Sequence, residues 1–151
     1  MSHLQVRFDD PEHGWIGVEI YDNQIEVLRF DASDIYPSFH ALVMALLTMR
    51  DARGEAIVDW MQEPAEVEMC FSTREEAVQL EISSFPGSAR PLERGDAELV
   101  FAGTYDEICL PFWRALRHLE GRYTPTELEL RWHSSFPHRE LEMLTAQLGK
   151  D

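Results

Sequence analysis

The chain has 151 residues, 44% of them hydrophobic, and sets 28 Asp and Glu against 13 Lys and Arg, a formal charge of −15. That length and apolar content suit one folded domain over 1–151 with its own core, and exclude the low-hydrophobicity signature of disorder. A folded surface of that sign repels nucleic acid and anionic membrane and attracts basic protein surfaces.

The first thirty residues read as a β-meander. Leu4, Val6 and Phe8 alternate with polar neighbours until Asp9-Asp10-Pro11 breaks the run. Ile16, Val18 and Ile20 alternate next, Asp22-Asn23 supplies turn chemistry, and Ile25 and Val27 continue into Leu28 and Phe30. Alternation with charged partners predicts strands with one apolar and one wet face.

Pro37 suits the first turn of a helix running to about Asp51. Its interior, Phe39 to Leu47, is apolar around most of its circumference, which predicts a helix buried from more than one side and crossing the sheet. Asp31 and Asp34 flank its start and are expected to cap it or complement its dipole. Arg53-Gly54 ends the helix and strands resume. Ala56 to Met61 forms one, Glu63-Pro64 turns, Val67, Met69 and Phe71 alternate in the next, and Val78, Leu80 and Ile82 in a third. Phe85 through Gly95 is the least patterned stretch, a surface loop, and Glu98 to Ala102 closes the sheet.

The C-terminal third is predicted helical. Thr104-Tyr105-Asp106-Glu107 matches a capping box, followed by a stripe of Ile108, Phe112, Ala115, Leu116 and Leu119 on a helix ending at Gly121. Pro111 requires either a kink or a start near Leu110. Thr124 to Glu127 offers a second box; Leu128 to Trp132 alternates like a strand but starts like a helix, and a short helix is favoured. Pro137 to Leu148 is a last amphipathic helix, with Leu141, Leu144 and Leu148 inward. The expected fold class is therefore α+β: an antiparallel sheet of about six or seven strands, one buried crossing helix and a C-terminal helical cluster.

Chemistry-bearing motifs are sparse. The chain has no glycine-rich phosphate loop, no nucleophile elbow, no zinc-type cysteine pair and a single lysine, Lys150, so no cofactor is implied and the reading leans away from an enzyme. Cys70 and Cys109 are expected to be buried free thiols. His40, on the core helix, and Asp59, in the apolar strand Ile57 to Met61, are the catalytic candidates. Asp59 either faces solvent by alternation or is buried with a raised pKa, and alternation is favoured. With neighbouring aromatics the two would line a pocket between sheet and core helix. His133 and His138 bracket a helix connection and are candidate metal ligands without a third. His118 belongs on a solvated helix face. Trp15, Trp60, Trp113 and Trp132 lie on four different elements; any that is exposed becomes an interaction anchor.

These features suggest a non-catalytic protein-binding module for a basic protein partner, of the physical type of small acidic proteins that neutralise basic enzymes such as nuclease toxins. A ligand binder or enzyme and a structural or regulatory subunit are the alternatives. The apolar runs are too short to span a membrane and no signal segment is evident, so a cytoplasmic location is expected. The pattern leaves the oligomeric state open.

Overall fold

The computed structural model describes residues 3–51, 54–93 and 95–149. Arg53 and Lys150, named above, lie outside the described residues. Seven antiparallel strands follow one another in sequence order: β1 (Leu4–Phe8), β2 (Trp15–Asp22), β3 (Ile25–Ser33), β4 (Glu55–Met61), β5 (Glu66–Arg74), β6 (Ala77–Phe85) and β7 (Leu99–Gly103). Helix α1 (Ser38–Arg50) lies between β3 and β4, and α2 (Tyr105–Ile108), α3 (Leu110–Gly121), α4 (Pro125–Trp132) and α5 (His138–Leu148) follow the sheet. The α+β architecture matches the expectation from patterning.

The sheet is two ribbons joined at a seam. Strands β1–β3 and β4–β7 pair extensively, but β3 and β4 share only the pair Ser33↔Met61. Side chains take over at that seam. Trp60 is fully buried, with the rings of Phe8, Phe30 and Phe39 at 6.0, 6.0 and 5.7 Å. Phe39 in turn meets Trp132 at 5.0 Å and Phe136 at 5.3 Å, which carries the cluster into the C-terminal helices. The inner faces of all seven strands and the helices' apolar stripes form one core.

Local chemistry explains the helix boundaries. Thr104 and Thr124 each accept from the backbone N–H three residues on, and Glu107 and Glu127 return the bond, so both capping boxes form. The proline ambiguity resolves as a break: α2 ends at Ile108, and Pro111 sits in the first turn of α3, where its missing N–H is harmless. The ambiguous stretch 125–132 is helical.

Local details refine or correct the patterning. A bulge between Ile20 and Tyr21 breaks the register with β3, and Ile25 and Val27 at that end are exposed while Leu28, Phe30 and Ala32 stay on the inner face. Helix α1 is buried from more than one side, by β4, β5 and α5, as expected, with Met44 exposed and His40 half-exposed on its remaining flank. Neither Asp31 nor Asp34 caps α1: its N-terminus has no side-chain cap, Asp31 lies opposite Gly17 on β2, and Asp34 accepts from Ser134 Oγ at 3.1 Å. Gly17 is required by close approach, since its N–H donates to Asp9 Oδ1 at 2.6 Å and a Cβ there would meet Asp9 Oδ2 at 2.1 Å.

Candidate functional site

The outer face of β4–β7, away from α1, follows from strand alternation. Val58 and Trp60 point into the core, which turns Ile57, Asp59 and Met61 outward; cross-strand register then sets Glu68 beside Asp59 and Cys70 beside Ile57, with Glu66 opposite Met61. By pattern alone this is a wet face. In the fold, Glu66 and Glu68 are 2% and 4% exposed. Arg90, from the loop that follows β6, covers them.

Arg90 fastens that loop. Its Nε donates to Glu68 at 3.1 Å, and Nη2 donates to Glu66 at 2.6 Å and to Asp59 at 3.3 Å. Nη1 donates to the carbonyls of Gly87 and Ser88 at 3.0 and 3.2 Å, so the same fork folds its own loop into a turn. The guanidinium also stacks 4.1 Å from the Phe85 ring centroid. Arginine suits this position because its planar fork reaches several acceptors at once. On the far side, Tyr36 OH donates to Glu66 Oε2 at 2.5 Å.

The electrostatics split the carboxylates. The Tyr36 hydrogen bond and then Arg90 hold Glu66 below its ordinary value, against the opposing pull of burial. Asp59 moves the other way: burial first, then the Glu68 charge, raise it despite Arg90.

Beside the clamp, the face opens into a cleft of about 720 Å³ between β4–β7 and the loop. Glu55, Glu68, Glu81, Asp96 and Glu98 line it, with Ile57, Cys70, Phe85 and Val100 supplying apolar surface between them. Cys70 is half-buried on this outer face, where the expectation was a buried core thiol; burial and then Glu55 push it up to about 11. It stays protonated at neutral pH and is a poor nucleophile there. Cys109 is buried in the core, and both thiols are free.

Comparison with protein-family models, curated proteins and solved structures finds no match to this chain. The site is therefore read from its own residues.

The remaining sequence candidates disperse. His40 is on the helix side of the sheet and Asp59 on the opposite face, so the two do not share a pocket between sheet and core helix. His138 Nδ1 lies 2.7 Å from Glu120 Oε2, whereas His133 is an exposed, left-handed C-cap of α4 beside Gly14. Among the described residues no three His, Cys, Asp or Glu side chains gather as a metal ion requires. Trp60 and Trp132 are core, and Trp113 is half-buried with Nε1 donating to Thr145 Oγ1 at 3.0 Å. Trp15 is 38% exposed, on the outer face of the other ribbon.

Sequence reasoning missed Arg90, Glu66 and Glu68. Alternation gives the face of Glu66 and Glu68 correctly but carries no information on what a distant loop covers. The one available signal was a lone Arg between Gly87 and Pro91 in an otherwise featureless segment.

Proposed function

We propose that the protein is a non-catalytic binding module that engages a basic protein partner through the acidic cleft on the outer face of β4–β7. The observation that carries this reading is the grouping of Glu55, Glu68, Glu81, Asp96 and Glu98 around one concavity with apolar patches between them. Carboxylates on several walls of one cleft focus the field and raise the encounter rate of a cation by about 10- to 1,000-fold at low salt. Ile57 and Val100, both exposed, offer apolar contact for the stems of arginine or lysine side chains. Arg90 illustrates the fit from within the chain, as a guanidinium already seated on the neighbouring carboxylates.

The test is direct binding of an arginine-rich peptide by fluorescence anisotropy at low and high salt, alongside a glutamate-rich control. The triple variant E55Q/E81Q/E98Q is expected to weaken binding at least about tenfold. Capture of basic proteins from the native cell at two ionic strengths then supplies the partner. If the triple variant binds as the parent does, or if the peptide's affinity is insensitive to salt, the reading fails.

A further inference from the structure

A second cavity, of about 440 Å³, lies at the opposite end of the sheet along the β1 edge, between β1 and α3. Its apolar lining is Leu4, Val6 and Pro111, and two arginines line it from different elements: Arg7 from β1 and Arg114 from α3. Several arginines of this acidic chain are committed to carboxylates. Arg90, Arg117, Arg122 and Arg131 hold carboxylates. Arg7 and Arg114 are exposed and make no hydrogen bond or ion pair with any described residue. The carboxylate in register with Arg7 is Glu19, and Tyr21 OH already donates to it at 2.5 Å.

The β1 backbone adds to the site. Asp9 N–H donates to Gly17 O and Asn23 N–H to His3 O, which places the odd-numbered residues of β1 in the ladder with β2. The amide groups of Leu4 and Val6 therefore point to the free edge, on the cavity side. A concavity of this size, with an apolar lining and a few convergent polar groups, has the form of a small-ligand site. Guanidinium forks select a carboxylate or a phosphate.

We propose that this cavity binds a small organic anion, its carboxylate or phosphate held by Arg7 and Arg114 and its apolar body resting on Leu4, Val6 and Pro111. This site is independent of the acidic cleft and takes the opposite charge.

The test is an amide-shift titration by NMR with phenyl phosphate, phenylacetate and the neutral benzyl alcohol as probes. Saturable shifts over Leu4–Arg7 and around Arg114 are expected with at least one anion and not with benzyl alcohol; whichever anion binds more tightly identifies phosphate or carboxylate as the headgroup. R7Q and R114Q should each weaken binding about tenfold while melting like the parent. R139Q, an exposed arginine on α5, should leave it unchanged. Three results overturn the proposal: no saturable shift with either anion at millimolar concentration, equal shifts with benzyl alcohol, or undiminished binding by R7Q and R114Q.

Discussion

Replacing Arg90 by methionine removes the guanidinium and keeps an apolar stem against Phe85. The variant leaves Glu66, 2% exposed, with Tyr36 as its hydrogen-bond donor but without its cation. Removing one partner of a buried ion pair costs about 3–5 kcal/mol. Arg90 keeps 20% of its side-chain surface in water, so the lower end, about 3 kcal/mol, applies here. In a domain of this length about 1 kcal/mol moves Tm by about 2–4 °C, which predicts a fall of about 6–12 °C for R90M. Thermal unfolding followed by tryptophan fluorescence and circular dichroism measures it. Two features separate a lost ion pair from lost packing. The double variant R90M/E66Q, neutral at position 66 and still able to accept from Tyr36, should recover more than half of the deficit. The deficit should also shrink as pH falls, because Glu66 is held low in the parent: its contribution is present above its unfolded value and is lost as pH drops through the folded one. A fall of less than about 2 °C, or an equal deficit at about pH 4 and pH 7, would refute the clamp.

Asp59 carries the opposite sign. Its raised pKa means that its contribution is present below the unfolded value and lost as pH rises through the folded one. D59N, which still accepts from Arg90, should therefore leave stability at neutral pH unchanged or slightly higher; a loss above about 1 kcal/mol in denaturant titration contradicts this. The thiols give a third outcome. With Cys70 pushed up to about 11 and Cys109 to about 12, native labelling by a thiol reagent near pH 8 should run at least about 100-fold slower than for an ordinary exposed cysteine, and denaturant should release two reactive groups. Fast native labelling of Cys70 would show that the cleft does not hold it protonated.

Most of the fold was legible because its signals are local. Period-two alternation marked the strands, and two threonines each followed three residues on by glutamate marked the starts of α2 and α4. The bulge at Ile20/Tyr21 was not legible, since one unpaired residue interrupts the ladder without leaving a mark in hydrophobicity, and apolar Ile25 and Val27 end exposed beside it. The candidate site was legible in half. Asp59 stands out as an acid in an apolar strand and alternation favours its outward facing, yet its companions depend on pairing across β4 and β5 and on a loop more than twenty residues away. Alternating Glu66-Val67-Glu68 reads the same whether the outer face meets water or an arginine. His40 illustrates the converse: an imidazole in an apolar run suggested burial, but the helix face it occupies is open.

The strictly sequential strand order has a bearing on how the protein is made. Each ribbon is assembled from neighbours in the chain, so its hairpins can close as they leave the ribosome, with little loop entropy to overcome. Helix α1 covers β4 and β5 early, but the helices over the first ribbon come last: α3 packs on β1, and Arg122 reaches back across more than a hundred residues to the carbonyls of Phe8 and Asp9. Until that final third is synthesised, the apolar face of the first ribbon is only partly covered, with Phe39 of α1 against Phe8 at 5.3 Å. The nascent chain is then exposed to aggregation at the strands it forms first, and truncation within α3–α5 should be far more damaging than its distance from the acidic cleft suggests.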